Sequence, residues 1–243
     1  MKKLKNLMLT LAAAFAVTAF LPAGEAFCAG KMAAVVVFVS GDVQFKRDGA
    51  AEYTELKINE AMQPGDSIKT AAGAKVSLVT RGGAEIRINE NSTFSFPGKS
   101  KVREMYELSV GQVWGRMLHR MAKLNVRTPS AVCAVRGTEA DIEQKDTLTV
   151  KVYEGHVDLQ NAQGKQSLKA GQISTVGGAN AAPTAPRQMS GSEMGKWQEE
   201  INVKDIGKYL EKVGLSNDGD KKMRLKLEQD GKTRDVEIKL KKK

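Results

Sequence analysis

Between Val35 and Val176 the sequence alternates apolar and polar residues in short runs, and this pattern constrains the fold more than any other feature. Runs such as VVVFVSGDVQF and AKVSLVT have a period of two, which is the period of a β-strand with one buried face. Glycine, asparagine and aspartate interrupt the runs every few residues, and PGD at Pro64–Asp66 and RGG at Arg81–Gly83 have the composition of turns. The pattern predicts an all-β domain, a roll, sandwich or short solenoid of about a dozen short strands.

The first thirty residues have the composition of a secretory signal peptide. Lysines precede an apolar run from Leu7 to Leu21, and small residues follow, which is the order of the three regions of such a peptide. The run is shorter than the roughly 20 residues that span a bilayer. We therefore expect residues 1–30 to be removed and the mature chain, with no integral membrane span, to be periplasmic or secreted. Lipid attachment at Cys28 stays open, although Phe27 stands where a lipobox carries glycine or alanine.

The β pattern ends at Val176, and the composition then changes. Residues 177–189 are mostly small residues and prolines, which predicts a flexible linker between residues 31–176 and the rest of the chain. Ser190 and Glu193 then have the spacing of a capping box, so a short amphipathic helix is expected to begin there. A second helix is expected from Asp205 to Val213.

The last residues predict a β-hairpin. Asp230-Gly231 suits a two-residue type I′ turn between two alternating runs. Together with the two helices, this hairpin makes residues 190–243 a small α+β appendage. The register that follows from the turn pairs Gln229 with Lys232, Leu225 with Val236, and Met223 with Ile238.

The chain is basic, with a formal net charge of +10, which favours acidic partners. Aromatic residues make up only 5% of the chain, too few for the stacking surfaces of nucleic-acid-binding proteins, so no nucleic acid is expected. The basic residues leave two interpretations open, a solvated surface or a contact surface for an anionic envelope polymer. The residues in question are Arg116, Arg120, Lys123 and Arg127, together with Lys241, Lys242 and Lys243.

The residue types that catalysis requires are scarce. The two histidines, His119 and His156, have no partner signature for a hydrolytic triad, and Cys133 stands in an apolar run where a small buried hydrophobe is expected. Two isolated histidines and one thiol lack the close spacing of metal ligands. We therefore expect no enzyme, no metal site and no cofactor.

The stretch VRTPSAVCAVRGTEADI is the most unusual part of the β pattern. Pro129 forces Thr128 toward extended backbone angles, so the chain is expected to bend there before a short buried strand. That strand is expected to deliver Arg136 and Gly137 to a tight turn, because glycine permits angles that other residues resist. Thr138 then begins the return strand.

Further along, Glu154-Gly155 is expected to form a β-turn. The role of Arg136 stays open. Its guanidinium either holds the turn, through carbonyl groups or an acid such as Glu139 or Glu154, or contacts a ligand or partner.

The order of these motifs resembles the FecR-domain family. The resemblance covers roughly Val35 to Val176 and rests on GDVQF, PGDSIKT, AKVSLVTRGGAEIRINENSTF, GQVWGRM, NVRTPSAVCAVRGTEADI, LTVKVYEGHVDL and LKAGQISTV, in that order. It implies an all-β extracytoplasmic domain without catalysis. The regulator that names the family carries a cytoplasmic segment and a transmembrane helix before this domain, whereas here a signal peptide leads into it, so direct anti-sigma activity is not carried over. The positions that match the family motif are Thr128, Pro129, Arg136, Gly137, Thr138, Glu154 and Gly155.

Two kinds of binding function remain. In the first, the chain is a protein-interaction module in envelope signalling or regulation, and it recognises an exported or membrane protein through a strand edge or the appendage. In the second, it is a structural or adhesive envelope protein that holds an anionic wall polymer, glycan or lipid surface. Salt separates the two, because attraction between exposed charges weakens as the Debye length shortens.

Overall fold

The computed structural model describes residues 32–98, 105–118, 122–195, 197–215, 221–229 and 232–240; for Thr138 and for the residues from 221 onward it describes the backbone only. Over this part of the chain the fold is mainly β, as predicted. The strands before residue 190 are β1 (Ala34–Ser40), β2 (Val43–Lys46), β3 (Thr54–Glu55), β4 (Ala61–Met62), β5 (Ser67–Thr70), β6 (Lys75–Thr80), β7 (Ala84–Ile88), β8 (Thr93–Ser95), β9 (Met105–Met117), β10 (Leu124–Arg127), β11 (Val132–Gln144), β12 (Leu148–Asn161), β13 (Gly164–Lys169), β14 (Gln172–Val176) and β15 (Arg187–Gln188).

Three long strands, β9, β11 and β12, pair with different neighbours along their two halves and so belong to two layers. Sheet A contains β4, β1, β6, β7, the second halves of β9 and β11, the first half of β12, β14 and β15. Sheet B contains β3, β2, β5, β8, the first halves of β9 and β11, β10, the second half of β12, and β13. The domain is therefore a roll in which one continuous set of strand pairs folds over itself.

Glycines with positive φ mark the line along which the strands pass from one sheet to the other. The register of β11 with β12 shifts between Arg136 and Glu139, where Gly137 has a φ of 125° and lies against Gly155, whose φ is 77°. Beside them, Gly171 (φ 80°) separates β13 from β14. Bulges at sheet corners use such backbone angles, which only glycine adopts at little steric cost.

Alternate side chains of both sheets point into the space between the layers and form the main apolar core. Phe94 and Tyr106 stack with ring centroids 5.6 Å apart, and Phe96 meets both rings at an edge. Cys133 is fully buried in this core, as predicted. The period-two pattern of the sequence is thus explained by one face of each strand being packed between the layers.

Both turns predicted in the first half of the domain are present. Residues 64–65 connect β4 with β5, and residues 81–83 connect β6 with β7. Gly65 has a φ of 90° and Gly83 a φ of 82°, in agreement with the role of glycine in such turns.

The helical region differs in part from the prediction. The Ser190–Glu193 capping box forms, with the Ser190 N–H donating to Glu193 Oε2 at 2.8 Å. Instead of one helix, however, two 3₁₀ turns follow, Gly191–Met194 and Trp197–Glu200. Gly195 ends the first turn because its ψ of 133° is extended. The second predicted helix is present as α1 (Ile206–Lys212).

Helix α1 packs on the outer face of sheet A. Its Leu210 and the following Val213 are buried against Val35 and Val37 of β1 and Val79 of β6. Sheet A is therefore covered on both faces, by the main core and by the C-terminal region. None of the helices in the described residues has the length and apolar character that a bilayer crossing requires.

Residues 177–189, predicted as a flexible linker, are tied to the β domain. Asn161 Nδ2 donates to Ala181 O at 2.7 Å, and Ser174 Oγ donates to Thr184 O at 2.7 Å. Strand β15 pairs with β14, with Ile173 opposite Arg187. The segment differs from a flexible linker because its backbone carbonyls accept hydrogen bonds from the domain and its short strand β15 pairs with β14. Its small side chains give no indication of these bonds in the sequence. The predicted domain bounds stay a prediction.

The hairpin has the predicted register. Strands β16 (Lys221–Gln229) and β17 (Lys232–Leu240) form their own two-stranded sheet, with Gln229 opposite Lys232, Leu225 opposite Val236 and Met223 opposite Ile238. The turn at Asp230-Gly231, the predicted signal peptide and Lys241–Lys243 lie outside the described residues.

Candidate functional site

The Thr128–Ala131 loop connects β10 to β11 and is closed by one buried hydroxyl. Thr128 Oγ1 accepts hydrogen bonds from the N–H groups of Ser130 (3.2 Å) and Ala131 (3.1 Å). Thr128 N also donates to Ala131 O at 2.9 Å. Pro129 is exposed at the tip. The chain bends here as predicted, and the Thr128 hydroxyl accepts the hydrogen bonds of the two N–H groups that follow the proline.

The expected turns at Arg136-Gly137 and Glu154-Gly155 are not present. Strand β11 continues through Arg136, Gly137 and Thr138, and β12 continues through Glu154 and Gly155. Both glycines have the positive φ that was expected, but they use it to bend paired strands rather than to reverse the chain. The prediction was wrong because a glycine in an alternating run is compatible with a turn or a bulge, and only its partner strand decides between them.

An open groove of about 540 Å³ lies on the outer face of sheet B beside these motif residues. Its floor contains the small side chains of Val132 and Ala134, which alternate with buried residues of β11. The register places Val132 opposite Gln160 and Ala134 opposite Asp158. The other lining residues are Arg136, Asn161, Ala162 and Lys165.

The two ends of the groove are formed by the motif. At one end, Asn161 Nδ2 donates to Ser130 O at 3.2 Å and so holds the Thr128–Ala131 loop against the groove. At the other end lies Arg136, opposite His156 in the register. The motif VRTPSAVCAVRG thus frames one continuous surface.

The charged groups of the groove are only loosely paired. Arg136 Nε lies 3.5 Å from Asp158 Oδ2, and Lys165 Nζ lies 3.8 Å from the same oxygen. The Arg136 side chain is 66% exposed. Asp158, rather than the expected Glu139 or Glu154, is thus its acidic neighbour. Exposed ion pairs of this kind contribute little to stability, so Arg136 and Lys165 can exchange this partner for another anion.

Of the predicted basic residues that the structure describes, Arg116 is engaged in an ion pair of its own. Arg116 Nη2 donates to the fully buried Glu85 Oε2 at 2.6 Å and so belongs to an internal ion pair. Arg127 is exposed on sheet B, with Glu107 as its register partner on β9. Arg116 lies nine positions beyond Glu107 on β9, which is at most about 30 Å along the strand at 3.3 Å per residue. Lys123 is exposed, whereas Arg120 and Lys241–Lys243 lie outside the described residues.

A second polar surface, on the outer face of sheet A, was not predicted. We call it the polar ladder, and its two rows follow from the backbone register of β7, β9 and β11. Its outward side chains look solvent-exposed in the sequence, because charged residues alternate with core residues. A tryptophan at such an outward position is the one signal that could have revealed it. One row is Arg87, Trp114 and Asp141; the other is Glu85, Arg116 and Glu139.

The ladder is held together by charge-assisted hydrogen bonds. Glu85 Oε1 accepts from Arg87 Nε at 2.7 Å, while its other oxygen accepts from Arg116. The guanidinium carbons of Arg87 and Arg116 lie 4.8 and 5.5 Å from the Trp114 ring centroid, close enough for cation–π attraction. Trp114 Nε1 donates to Glu139 Oε1 at 2.9 Å.

Residues 190–195 and 197–201, which we call the strap, lie across the ladder. Trp197 Nε1 donates to Asp141 Oδ2 at 3.3 Å, and Gln198 Nε2 donates to Glu139 Oε1 at 3.3 Å. Arg87 Nη1 donates to the Gln198 carbonyl. The strap thus meets the ladder through polar contacts.

Burial raises the pKa of Asp141 to about 7. Lys151, which is its register partner on β12, and the hydrogen bonds from Gln112 and Trp197 lower that pKa in part, and Glu143 raises it. The carboxyl group is therefore close to half protonated near neutral pH.

The arrangement offers little to catalysis. Burial raises the pKa of the Cys133 thiol to about 12, so the reactive thiolate is suppressed. His156 is exposed on β12, and His119 lies outside the described residues. Among the residues that the structure describes, no three His, Cys, Asp or Glu side chains come together in a group that could hold a metal ion.

Comparison with known proteins supports the resemblance. A family model described as FecR protein matches residues 66–158. No curated protein matches the chain significantly. Two crystal structures of a candidate anti-sigma factor from Parabacteroides distasonis match at 15% and 16% identity. Each has a TM-score of 0.44 and covers 51% of this chain, which in turn spans 60% of the length of the matched chain.

The family match includes both halves of the bend and four of the eight residues that line the groove. It begins at Asp66, in the PGD turn, and ends at Asp158, which contacts Arg136. Residues 66–158, which contain the motif positions, are therefore similar to the FecR protein family.

Proposed function

We propose that the chain is a non-catalytic interaction module in envelope signalling or regulation, and that the groove on sheet B binds an extended segment of an exported or membrane protein. The observation that carries the proposal is the placement of the family motif at both ends of one open groove. Thr128 shapes one end, and the exposed Arg136 forms the other.

The regulatory part of the proposal is supported by the match to the FecR protein family, and its location in the envelope by the composition of residues 1–30. The solved structures described above are candidate anti-sigma factors. Direct action on a sigma factor is not proposed for this chain.

The charges of the groove favour an acidic segment. Arg136 and Lys165 share a single carboxylate, that of Asp158, so the three groups together carry one positive charge. Apolar side chains of the groove floor offer contact area, while the guanidinium can bind a carboxylate through two parallel hydrogen bonds. A segment that alternates acidic and small residues fits this surface.

The alternative, adhesion to an anionic polymer or lipid through a basic surface, has weaker support. Adhesion would need several basic residues to contact the polymer or lipid on one surface. Arg116 is instead paired with Glu85, at a distance from Arg127. It remains an outcome that the experiment can detect.

The test is a cross-linking pull-down with the tagged full-length chain in its native envelope, at low and high salt, with cross-links located by mass spectrometry. We expect one protein partner that survives high salt and is cross-linked through Lys165, a residue of the groove. The variant Arg136→Glu should lose that partner. The matched control is Arg127→Glu, because Arg127 is also exposed on sheet B but lies outside the groove.

The outcomes separate the hypotheses. Retention of the partner by Arg136→Glu would show that the groove is not its site. If only wall polymer or lipid is captured, and salt releases it from both variants, the interaction module is wrong and adhesion is supported.

A further inference from the structure

The polar ladder is an unusual surface for a stable chain to bury beneath its own C-terminal region. Glu85 is fully buried, and Arg87, Trp114 and Asp141 are each less than 9% exposed. The main core lies on the opposite face of sheet A. Packing of the sheet against that core therefore does not require the charged residues of the ladder to be covered. Burying charges is costly unless their partners are well placed.

The strap that covers the ladder is short, and among its described residues Gln198 and Ile201 are the buried ones. It contains two 3₁₀ turns of four residues, and in these turns Gln198 is the buried residue. Met194 is 47% exposed. Three further contacts join the strap to the sheet. Tyr153 OH donates to Gly195 O at 3.0 Å, Lys75 forms an ion pair with Glu200, and Arg187 of β15 donates to both carboxylate oxygens of Glu193 at 2.6 and 2.9 Å. Hydrogen bonds and ion pairs thus attach most of the strap, and Ile201, which is 3% exposed, adds buried apolar area at its end.

The fit between strap and ladder is incomplete. Asp141 Oδ1, Arg116 Nε and Gln198 Oε1 are buried and have no hydrogen-bond partner among the described residues. Unmatched buried polar atoms lower the stability of a contact. A segment that also matched the two ladder atoms would bind this surface more strongly than the strap does.

We propose that the polar ladder is a peptide-binding surface, held by the strap in this structure, whose other occupant is an extended segment of a partner protein with the same chemistry. That segment presents an indole or comparable N–H donor to Asp141, a side-chain amide to Glu139 and a main-chain carbonyl to Arg87. Interfaces that exchange partners are polar at their rim and rich in tryptophan and arginine at their centre, and the ladder has this composition.

This surface is independent of the groove. The groove lies on sheet B and the ladder on sheet A, on opposite sides of the bend at Gly137. The proposal therefore adds a second interaction surface to the function proposed above.

The experiment uses the full-length chain and a fluorescein-labelled peptide with the sequence of residues 193–202, EMGKWQEEIN. In the native chain the strap competes at high local concentration and reduces the apparent affinity. The double variant Trp197→Ala with Gln198→Ala weakens that competitor. We expect fluorescence anisotropy to show at least about tenfold tighter binding of the peptide to the double variant than to the native chain.

Two controls make the result specific. A peptide in which the residues matching Trp197 and Gln198 are alanine should not bind the double variant. Adding Asp141→Ala to the double variant should abolish binding of the original peptide, and circular dichroism is used to confirm that this triple variant retains its strands.

Three results would overturn the proposal. The first is no peptide binding by a folded double variant, and the second is equal binding of the control peptide. The third is hydrogen exchange at residues 197–201 of the native chain as slow as in β11, since a strap that never opens cannot yield its surface. Because no groove residue is altered, failure here leaves the groove proposal standing.

Discussion

Gly137 and Gly155 face each other where β11 and β12 bend between the two sheets. A Cβ atom placed on Gly137 would lie 2.7 Å from the Cα of Gly155, well inside the distance of ordinary carbon contacts. Gly137 also has a φ of 125°. The absence of a side chain at Gly137 therefore leaves the space that Gly155 occupies, and the bend depends on it.

Replacing Gly137 with alanine should destabilise the domain through both effects. The positive φ costs about 1–2 kcal/mol for a residue with a Cβ, and the contact with Gly155 adds about 1–3 kcal/mol because backbone must move. Urea denaturation measures the sum. Gly178→Ala is the matched control, since Gly178 has a similar φ of 121° but open space around its Cβ position. Equal losses in the two variants would contradict the importance of the close approach.

Replacing the buried Glu85 with glutamine should be strongly destabilising. The change leaves the guanidinium of Arg87 beside a neutral group, and the Arg87 side chain is only 10% exposed. Removing one partner of a buried pair costs about 3–5 kcal/mol. The control is Glu55→Gln, because Glu55 and Lys57 form an exposed pair at 3.6 Å, and its effect should stay within about 0.5 kcal/mol. A loss for Glu85→Gln as small as that of the control would show that the ladder adds nothing to folding.

The hydroxyl of Thr128 should matter more than its methyl group. Thr128→Val keeps the shape but leaves the N–H groups of Ser130 and Ala131 without the Oγ1 acceptor, at a cost of about 1–3 kcal/mol. Thr128→Ser keeps the acceptor and loses about 0.8 kcal/mol for one methyl group. Thermal melting should rank serine above valine in stability. The opposite order would mean that packing, not hydrogen bonding, closes the loop.

Stability should depend on the ionisation of Asp141. Its pKa is about 7 in the folded chain and about 3.9 when unfolded, so the folded state binds the proton more tightly. The resulting stabilisation is fully present below pH 4 and is lost as the pH rises to 7, at no more than about 1.4 kcal/mol per pH unit. We expect native protein to unfold at a lower urea concentration at pH 7.5 than at pH 5.

Asp141→Asn provides the comparison for the pH experiment, because it cannot ionise. Its urea midpoint should change less over this range than that of the native chain. The only two tryptophans, Trp114 and Trp197, both lie at the ladder, so their emission should report the same titration. Identical pH dependence in the native chain and Asp141→Asn would contradict the assignment.

Local features of the fold could be predicted from the sequence. The strand pattern, the turns at residues 64–65 and 81–83, the hairpin register and the helix at Ile206–Lys212 all follow from residues within a few positions of each other. For these features, side-chain period, proline and glycine angles and cap spacing already determine the backbone.

Features that depend on distant segments could not be predicted. Gly137 has the backbone freedom of a turn residue, and its role in a bend is decided by Gly155 on the neighbouring strand. Arg116 and Asp141 look like solvated positions. Arg116 is instead paired with the buried Glu85, and Asp141 is buried beneath Trp197, which lies 56 residues further along the chain. The Thr128 loop was found because proline acts on its immediate neighbour.

The polar ladder also bears on how the chain is synthesised. Sheet A is complete at β15, before the strap has left the ribosome, because chains emerge from their N-terminus. During that interval the carboxylates and guanidinium groups of the ladder are hydrated, whereas the outward valines of β1 and β6 are exposed until α1 covers them. The ladder thus limits the apolar part of the outer face that is open to aggregation before the last segment arrives.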